Sequence, residues 1–278
     1  MKKMGNGALI AAGFALAGCA TICNSAGSSA GNVIGNAIGQ KVGDAVVRTY
    51  SPAFMNFYYG YIFTLAFNSN GYDLAMQPMK PGEWVKYEVS GHNAGDAKDK
   101  DQKPNYIQRA YLFSDKEGNE YWQVKFTDGS TNDVLAMEAE FNKGRQKLLR
   151  MKAKNPKETE GQEVPVNDQT YYVPPQKLTK ESLKGAMVGC EDVTVPAGSF
   201  KADHYKFGGA GGGYTQEFWI SKTVPGGEVK YLQSVPQDSS KAKTQPEGSQ
   251  GLDANSWTSA LKEQGTGAVS ELGIKPAT

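Results

Sequence analysis

The chain has little of what catalysis and metal binding require. Its 278 residues include only two histidines and three cysteines. His92 is expected in the polar loop after a strand and His204 in a strand, where a structural role is favoured; an enzyme would have to depend on one of them. Asp96, Asp99 and Asp101 resemble a calcium-binding loop, but intervening lysines and a missing glycine disrupt the pattern. We therefore expect no enzyme activity, no cofactor and no metal.

An excess of charge of either sign is also absent. The 30 lysines and arginines nearly balance 29 aspartates and glutamates, and the formal net charge is +1. Such a chain lacks the strongly basic surface with which proteins bind the nucleic-acid backbone. We therefore expect no nucleic-acid partner.

The first 19 residues have the pattern of a bacterial lipoprotein signal. Two lysines precede an uncharged apolar run at 7–16, which is too short to span a membrane. The run leads into Leu16-Ala17-Gly18-Cys19, a lipobox, in which small residues precede the cysteine that accepts the lipid. The pattern predicts removal of residues 1–18 and acylation of Cys19. The alternative is an ordinary secretory signal with a chance cysteine.

Acylation of Cys19 would decide where the protein works. Each buried methylene of an acyl chain such as palmitate adds roughly 0.8 kcal/mol of membrane affinity, so two or three chains hold a protein almost permanently. Ala20 follows the cysteine where aspartate favours retention in the inner membrane of enteric bacteria. We therefore expect a protein of the cell envelope, anchored by lipid in the outer membrane on its periplasmic face or at the cell surface.

The other two cysteines are Cys23 and Cys190. An oxidising periplasm would allow a disulfide between them, which would tie the anchor segment to the folded domain. The sequence does not reveal whether they meet the distance requirement, so the free and the bridged forms both stay open.

Residues 24–50 carry a glycine at every fourth position: Gly27, Gly31, Gly35, Gly39 and Gly43. On a helix this spacing forms a stripe without side chains, a glycine zipper that another backbone can approach closely. Because each glycine costs about 1 kcal/mol in a helix in water, the helix would need a packing partner. The exact register favours a packed helix over the alternative, a flexible tether.

An aromatic run of about 15 residues follows, from Phe54 to Phe67, within a stretch at 52–71 that carries no charge. It is short for a membrane-spanning helix. Burial in a core, a position at the membrane interface and an oligomer contact are the three alternatives. Together with the glycine stripe, residues 27–67 are expected to form a helical hairpin.

From Pro81 onward the sequence alternates polar and apolar residues, as half-buried strands do. We predict strands at 83–89, 106–114, 120–127, 134–141, 146–152, 188–195, 200–207, 215–221 and 228–233. Asn142-Lys143-Gly144 favours a hairpin over a helix at 134–152, and a short helix is expected after Thr179. Residues 237–278 are rich in Ser, Gln, Gly and Lys, which predicts a mostly flexible tail with a short helix near 255–264.

Several turn and strand segments resemble a known family. Val-Pro-Ala-Gly-Ser-Phe at 195–200, Gln-Glu-Phe-Trp-Ile-Ser at 216–221 and Val-Pro-Gly-Gly-Glu-Val-Lys at 224–230 resemble bacterial envelope proteins whose sheet is similar to the lipoprotein carriers LolA and LolB. The resemblance implies a strongly curved, unclosed antiparallel sheet, with helices plugging an apolar concave face that binds acyl chains or other hydrophobic ligands. The shared motifs concern fold, so no functional residue is carried over.

Together, these patterns predict an α+β fold, mainly antiparallel β: a half-barrel with an N-terminal helical hairpin. The chain divides into a signal peptide at 1–18, an anchor and helical segment at 19–77, a β-domain at 78–236 and the tail at 237–278.

The first functional hypothesis is that of a lipid-anchored protein that holds a hydrophobic ligand or a lipoprotein acyl chain in the half-barrel. Candidate lining residues of the apolar cavity are Trp84, Tyr87, Trp122, Phe126 and Phe218. Successive strand residues face opposite sides of a sheet, so not all of them can line one cavity; the alternative for the set is a filled core. A permanently anchored protein could receive or present a ligand but could not shuttle it.

The second hypothesis is a structural or scaffold subunit of an envelope assembly. Here residues 24–67 mediate self-association or bind another envelope protein. The edges of an open sheet could also accept partner strands.

Overall fold

The computed structural model describes residues 52–69, 72–92, 103–156, 158–168, 170–208, 215–235 and 255–276. The signal region, Cys19, Cys23, the five glycines of the stripe and the three aspartates of the polar loop lie outside these ranges. Acylation, the first arm of the helical hairpin and the Cys23–Cys190 bridge therefore stay predictions. On the described side of that bridge, the Cys190 side chain is exposed.

One long helix opens the described part of the chain, and antiparallel strands make up most of the rest. The helices are α1 (Pro52–Phe67) and α2 (Lys180–Ala186), and the strands are β1 (Asn68–Ser69), β2 (Tyr72–Asp73), β3 (Trp84–His92), β4 (Asn105–Ser114), β5 (Glu120–Thr127), β6 (Val134–Phe141), β7 (Leu148–Lys154), β8 (Gln162–Val164), β9 (Met187–Val195), β10 (Gly198–Gly208), β11 (Thr215–Ile220), β12 (Glu228–Val235) and β13 (Asn255–Gly265). A short 3-10 turn at Lys143–Arg145 joins β6 to β7.

Eleven strands form one antiparallel sheet in the order β8-β7-β6-β5-β4-β3-β13-β12-β11-β10-β9. It consists of two meanders joined by β13, which pairs with β3 on one side and β12 on the other. The described strands β8 and β9 form its two edges, so the sheet stays unclosed. The Ala197 amide, in the turn after β9, donates to the Leu261 carbonyl of the central β13 at 3.0 Å, so this end curls back over the middle. The predicted fold class, a curved and mainly antiparallel sheet, is confirmed.

The local predictions for the strands before residue 236 are confirmed with small shifts of their ends. Residues 134–154 form the β6–β7 hairpin rather than a helix. Thr179 caps α2, and its hydroxyl accepts a hydrogen bond from the Ser182 amide at 3.0 Å.

The prediction for residues 255–276 was wrong. Instead of a short helix near 255–264, residues 255–265 form β13 in the middle of the sheet. Ala260 to Gln264 are good helix formers, but pairing with two strands satisfies the backbone on both sides and buries Ser259 and Leu261. The folded domain therefore does not end at 236, because β13 and a strap at 266–276 belong to it.

Helix α1 packs on one face of the sheet, which we call the inner face. Tyr59, Ile62, Phe63, Ala66 and Phe67 are buried in one hydrophobic cluster with side chains of the strands. The Phe67 ring meets Trp122 edge to face, with centroids 5.1 Å apart. Of the three alternatives for the aromatic run, burial in a core is the one that the described side chains adopt. Within the described ranges no helix is both long enough and apolar enough to cross a membrane.

Candidate functional site

The last turn of α1 is bonded to the inner face of the sheet by an arginine of β4. Nη1 of Arg109 donates to the carbonyl oxygen of Ala66 at 2.9 Å, and Nη2 donates to Oε2 of Glu228 at 2.9 Å. The final carbonyls of a helix have no partner within the helix. Arg109 supplies such a partner and so attaches the end of α1 to the sheet. We call Arg109, Glu228 and the groups hydrogen-bonded to them the latch.

The ion pair in this latch is deeply buried. The side chains of Arg109 and Glu228 are 3% and 1% exposed. The Ser259 hydroxyl donates to Oε1 of Glu228 at 2.9 Å, and the Tyr87 hydroxyl donates to the Glu228 backbone carbonyl at 3.1 Å. Four strands, β3, β4, β12 and β13, thus contribute to one network, and the C-terminal β13 is needed to complete it.

Burial and charge act in opposite directions on the groups of the latch. Burial alone would lower the pKa of the Arg109 guanidinium, but the Glu228 carboxylate beside it, which accepts its hydrogen bond, raises that pKa above its ordinary value. Burial also raises the pKa of the Tyr87 phenol. Arg109 therefore stays charged and Tyr87 keeps the proton that it donates.

A second buried ion pair holds the chain that follows α1. Nη2 of Arg145 donates to Oδ2 of Asp73 at 2.5 Å. The same guanidinium lies over the rings of Phe67 and Trp122, at 4.9 and 4.8 Å from their centroids. Burial raises the pKa of the Asp73 carboxyl, although Arg145 counteracts it. The end of α1 and the residues after it are therefore fixed to the sheet by two arginines.

A small cavity of about 10 Å³ lies between the end of α1 and the inner face. Its lining combines apolar side chains with the latch: Leu65, Ala66, Leu74, Tyr87, Val89, Ile107, Arg109, Glu228, Trp257 and Ser259. Pockets for small molecules usually measure roughly 300 Å³ or more. The space between the end of α1 and the inner face can therefore take up a ligand of that size only if α1 moves.

The five residues predicted to line a cavity fall into three groups. Tyr87, Trp122 and Phe126 lie together in the cluster that packs on α1. Phe218 is fully buried in a separate cluster, which it forms with Leu74 and with side chains of β11 and β12. Trp84 lies on the opposite, outer face, against a cluster that includes Ile274 of the strap. Three of the five thus share the site at α1, and strand alternation separates Trp84 from them.

Sequence reasoning missed both charged members of the latch. The available signal was weak: Arg109 stands between Ile107 and Tyr111 in the alternation of β4, at a position where an apolar residue is expected. Its partner Glu228 lies 119 residues further along the chain, and only the order of strands brings the two together.

His204 lies on β10, in the meander formed by β9 to β12. Both nitrogens of its ring and the ring face have partners. Its ring stacks on Trp219 with centroids 4.3 Å apart, Nε2 lies 2.8 Å from Oε2 of Glu217, and Nδ1 lies 3.2 Å from Oε1 of Glu191. Burial alone would raise the pKa of the Glu217 carboxyl, but hydrogen bonds from Lys206 and His204 lower it. This geometry fits the structural role favoured for His204. Nowhere in the described ranges do three His, Cys, Asp or Glu side chains form a group that could hold a metal ion.

No known protein-family model matches the chain, and no curated protein matches its sequence. The resemblance to lipoprotein carriers therefore stays a prediction based on the turn and strand motifs.

Proposed function

We propose that the protein is a lipid-anchored module of the cell envelope, held in the outer membrane, that binds a hydrophobic molecule such as a lipoprotein acyl chain. The ligand would take the place of α1 on the inner face of the unclosed sheet. One observation carries the proposal: an uncharged helix covers the apolar inner face, and its last turn is latched there by Arg109 through the Ala66 carbonyl.

Helix α1 resembles a hydrophobic ligand in its chemistry. Its 16 residues include no charged side chain, and Phe63 and Phe67 are completely buried. Burial of apolar surface contributes about 25 cal/mol per Å² whether the surface belongs to a helix or to an acyl chain. Replacement of one apolar occupant by another therefore changes the hydrophobic free energy little. The polar bonds of the latch then decide which occupant is favoured.

The position of α1 along the chain supports the same proposal. It follows directly on the segment that begins at the predicted acylation site, Cys19. If Cys19 is acylated, α1 is the element of the domain nearest to the anchor in the sequence. A ligand that leaves the membrane would then meet the element that it has to displace.

The small size of the cavity favours a second candidate function, a structural subunit of an envelope assembly. With about 10 Å³ between α1 and the sheet, α1 could equally be a permanent part of the core. Because most of the apolar side chains from Tyr59 to Phe67 are buried in that core, contact with a partner would then depend on the glycine stripe that precedes α1.

The two candidates differ in ligand binding and in oligomeric state. A soluble form that begins at Ala20 is titrated with a fluorescent 16-carbon fatty acid, and its mass is measured by light scattering. The paired variant Arg109→Gln/Glu228→Gln weakens the latch without leaving a buried charge. The pair Lys152→Gln/Glu163→Gln, an outer-face contact at 3.6 Å, is its control.

Saturable binding of one fatty acid, tightened by the latch variant but not by the control, supports the binding function. Absence of binding, with an oligomer that Gly31→Leu and Gly35→Leu dissociate, supports the structural function. A monomer that binds no fatty acid in any variant contradicts both.

A further inference from the structure

We propose that the outer face of the sheet carries a second site, which binds a small organic anion through a phosphate or carboxylate group. An open groove of about 290 Å³ lies on this face, away from α1. Its lining residues come from five neighbouring strands, β3 to β7, and from the strap.

The strand register arranges three lysines in one row across this groove. Lys86 lies opposite Gln108, which lies opposite Lys125. Lys125 in turn lies opposite Ala136, and Ala136 opposite Lys154. Strands in a sheet are about 4.8 Å apart, so lysines on every second strand are about 10 Å apart on the same face. An anion above the middle of the row lies within reach of Lys125 and of the flexible side chain on either side.

A second row of side chains forms the rest of the groove floor. Tyr106, Thr127 and Val134 lie opposite one another on β4, β5 and β6. The phenol and the hydroxyl can donate hydrogen bonds to an oxyanion. Val134, with Ala136 and Leu272, offers apolar contact to a carbon part of the same ligand. A small organic anion matches this lining better than an inorganic ion does.

The strap forms one wall of the groove, and buried Glu138 holds its backbone in place without any ligand. Glu138 on β6 is completely buried, and its Oε1 accepts hydrogen bonds from the backbone amides of Glu271 and Leu272 at 2.6 and 3.1 Å. Its Oε2 accepts a hydrogen bond from the Ser270 hydroxyl at 2.6 Å. The backbone beside the groove is therefore fixed by bonds in which the Glu271 side chain takes no part.

That side chain occupies the place of the anion in the unliganded protein. Oε1 of Glu271 lies 2.5 Å from Nζ of Lys125, and the Glu271 side chain is 52% exposed. Lys86 has a looser partner, Glu263, at 3.8 Å. Lys154 forms no ion pair within the described ranges. A ligand oxyanion can replace Glu271 at Lys125 and gain a contact with Lys154, because exposed ion pairs such as Lys125–Glu271 contribute little to stability.

The headgroup of an anionic phospholipid and a free organic phosphate both carry a phosphate joined to a carbon part, and this is the chemistry that the groove fits. The full chain, purified in a non-ionic detergent, is titrated calorimetrically with glycerol phosphate. A parallel titration uses mixed micelles that contain phosphatidylglycerol or, as a neutral reference, phosphatidylcholine. The variants are Lys125→Gln, Lys154→Gln and Glu271→Gln, and Lys222→Gln in an exposed turn is the matched control.

We expect Lys125→Gln and Lys154→Gln each to weaken binding by roughly three- to tenfold, and Glu271→Gln to strengthen it by about two- to fivefold. Lys222→Gln should leave it unchanged. Binding of glycerol phosphate with this dependence identifies a free organic phosphate as the ligand class. If the substitutions affect binding in this way only with phosphatidylglycerol, the ligand class is a lipid headgroup. If neither probe binds, or if Lys222→Gln weakens binding as much as the groove variants do, the proposal is overturned.

Discussion

Nη1 of Arg109 and the carbonyl oxygen of Ala66 lie 2.9 Å apart, and this hydrogen bond joins the last turn of α1 to β4 across 43 positions of sequence. The same guanidinium holds Glu228, which in turn accepts a hydrogen bond from Ser259. The position of α1 is therefore coupled to the insertion of β13 between the two meanders. Substitutions in this network should affect the whole domain.

Removal of one charge from the latch should cost far more than removal of both. We expect Arg109→Met to lower the free energy of unfolding by about 3–5 kcal/mol, because it leaves the Glu228 carboxylate buried without its cation. In Arg109→Met/Glu228→Met most of that loss should be recovered, since apolar side chains replace the pair. Urea unfolding followed by tryptophan fluorescence measures both. Additive effects of the two single substitutions would contradict a coupled pair.

The strap at 266–276 should depend on one carboxylate. Replacement of Glu138 by alanine removes the acceptor for the amides of Glu271 and Leu272 and for the Ser270 hydroxyl. We expect a loss of about 2–4 kcal/mol and faster amide hydrogen exchange at 270–274. Glu163→Ala on β8, where the side chain is 65% exposed, is the control. Unchanged exchange in Glu138→Ala would show that the strap is held by its apolar contacts alone.

Two helical glycines should respond in opposite ways to alanine. A Cβ atom at Gly60 would lie 2.4 Å from the backbone carbonyl oxygen of Tyr171, whereas at Gly185 of α2 it would meet no atom within 4 Å. Gly60→Ala should therefore destabilise the fold by about 1–3 kcal/mol. Gly185→Ala should stabilise α2 by up to about 1 kcal/mol. Thermal unfolding monitored by calorimetry tests both, and a neutral Gly60→Ala would mean that residues 170–171 do not pack tightly on α1.

The Glu217 carboxylate should stabilise the fold only above its lowered pKa. Its hydrogen bonds to His204 and Lys206 hold the pKa below the ordinary value, so the folded state binds fewer protons there than the unfolded state. The contribution is present above the ordinary carboxyl pKa and is lost as the pH falls through the lowered one. Because the site is partly exposed, we expect under about 1 kcal/mol.

The measurement is the difference in unfolding free energy between the wild type and Glu217→Gln from pH 7 to pH 3. It should be largest near neutral pH and disappear at the acidic end. Glu160→Gln, at an exposed position outside the helices and strands, is the control. A difference that persists at pH 3 would assign the effect to packing rather than to charge.

Nine of the strands before residue 236 could be predicted because their signal is local, whereas β1, β2 and β8, of two or three residues each, were not predicted. In β3, Val85, Tyr87 and Val89 alternate with polar residues, and this period of two identifies a half-buried strand without knowledge of its neighbours. In β13 the same alternation runs through Trp257, Ser259 and Leu261, but a polar residue occupies the middle inward position. Ser259 is buried there only because its hydroxyl donates to Glu228. The alternation of β13 could therefore be recognised only once Glu228 was known to lie beside Ser259.

The sites were harder to predict than the strands. From the sequence, Lys86, Lys125 and Lys154 are simply the solvent-facing residues of three separate strands. Their alignment in one row follows from the register of four strand pairs. Arg109 and Glu228 likewise become a buried pair only when the two meanders meet.

By itself the sequence determined the alternating strands, the turn at Asn142-Lys143-Gly144, the capped helix after Thr179 and the uncharged helix at 52–67. Each of these depends on side-chain period or on turn and cap chemistry within a few residues. Only the tertiary structure decided that β13 completes the sheet, that α1 covers its inner face and that charged residues far apart in sequence become neighbours. The physical reason is that strand pairing and the burial of charge depend on which segments meet, and no local pattern of residues encodes that choice.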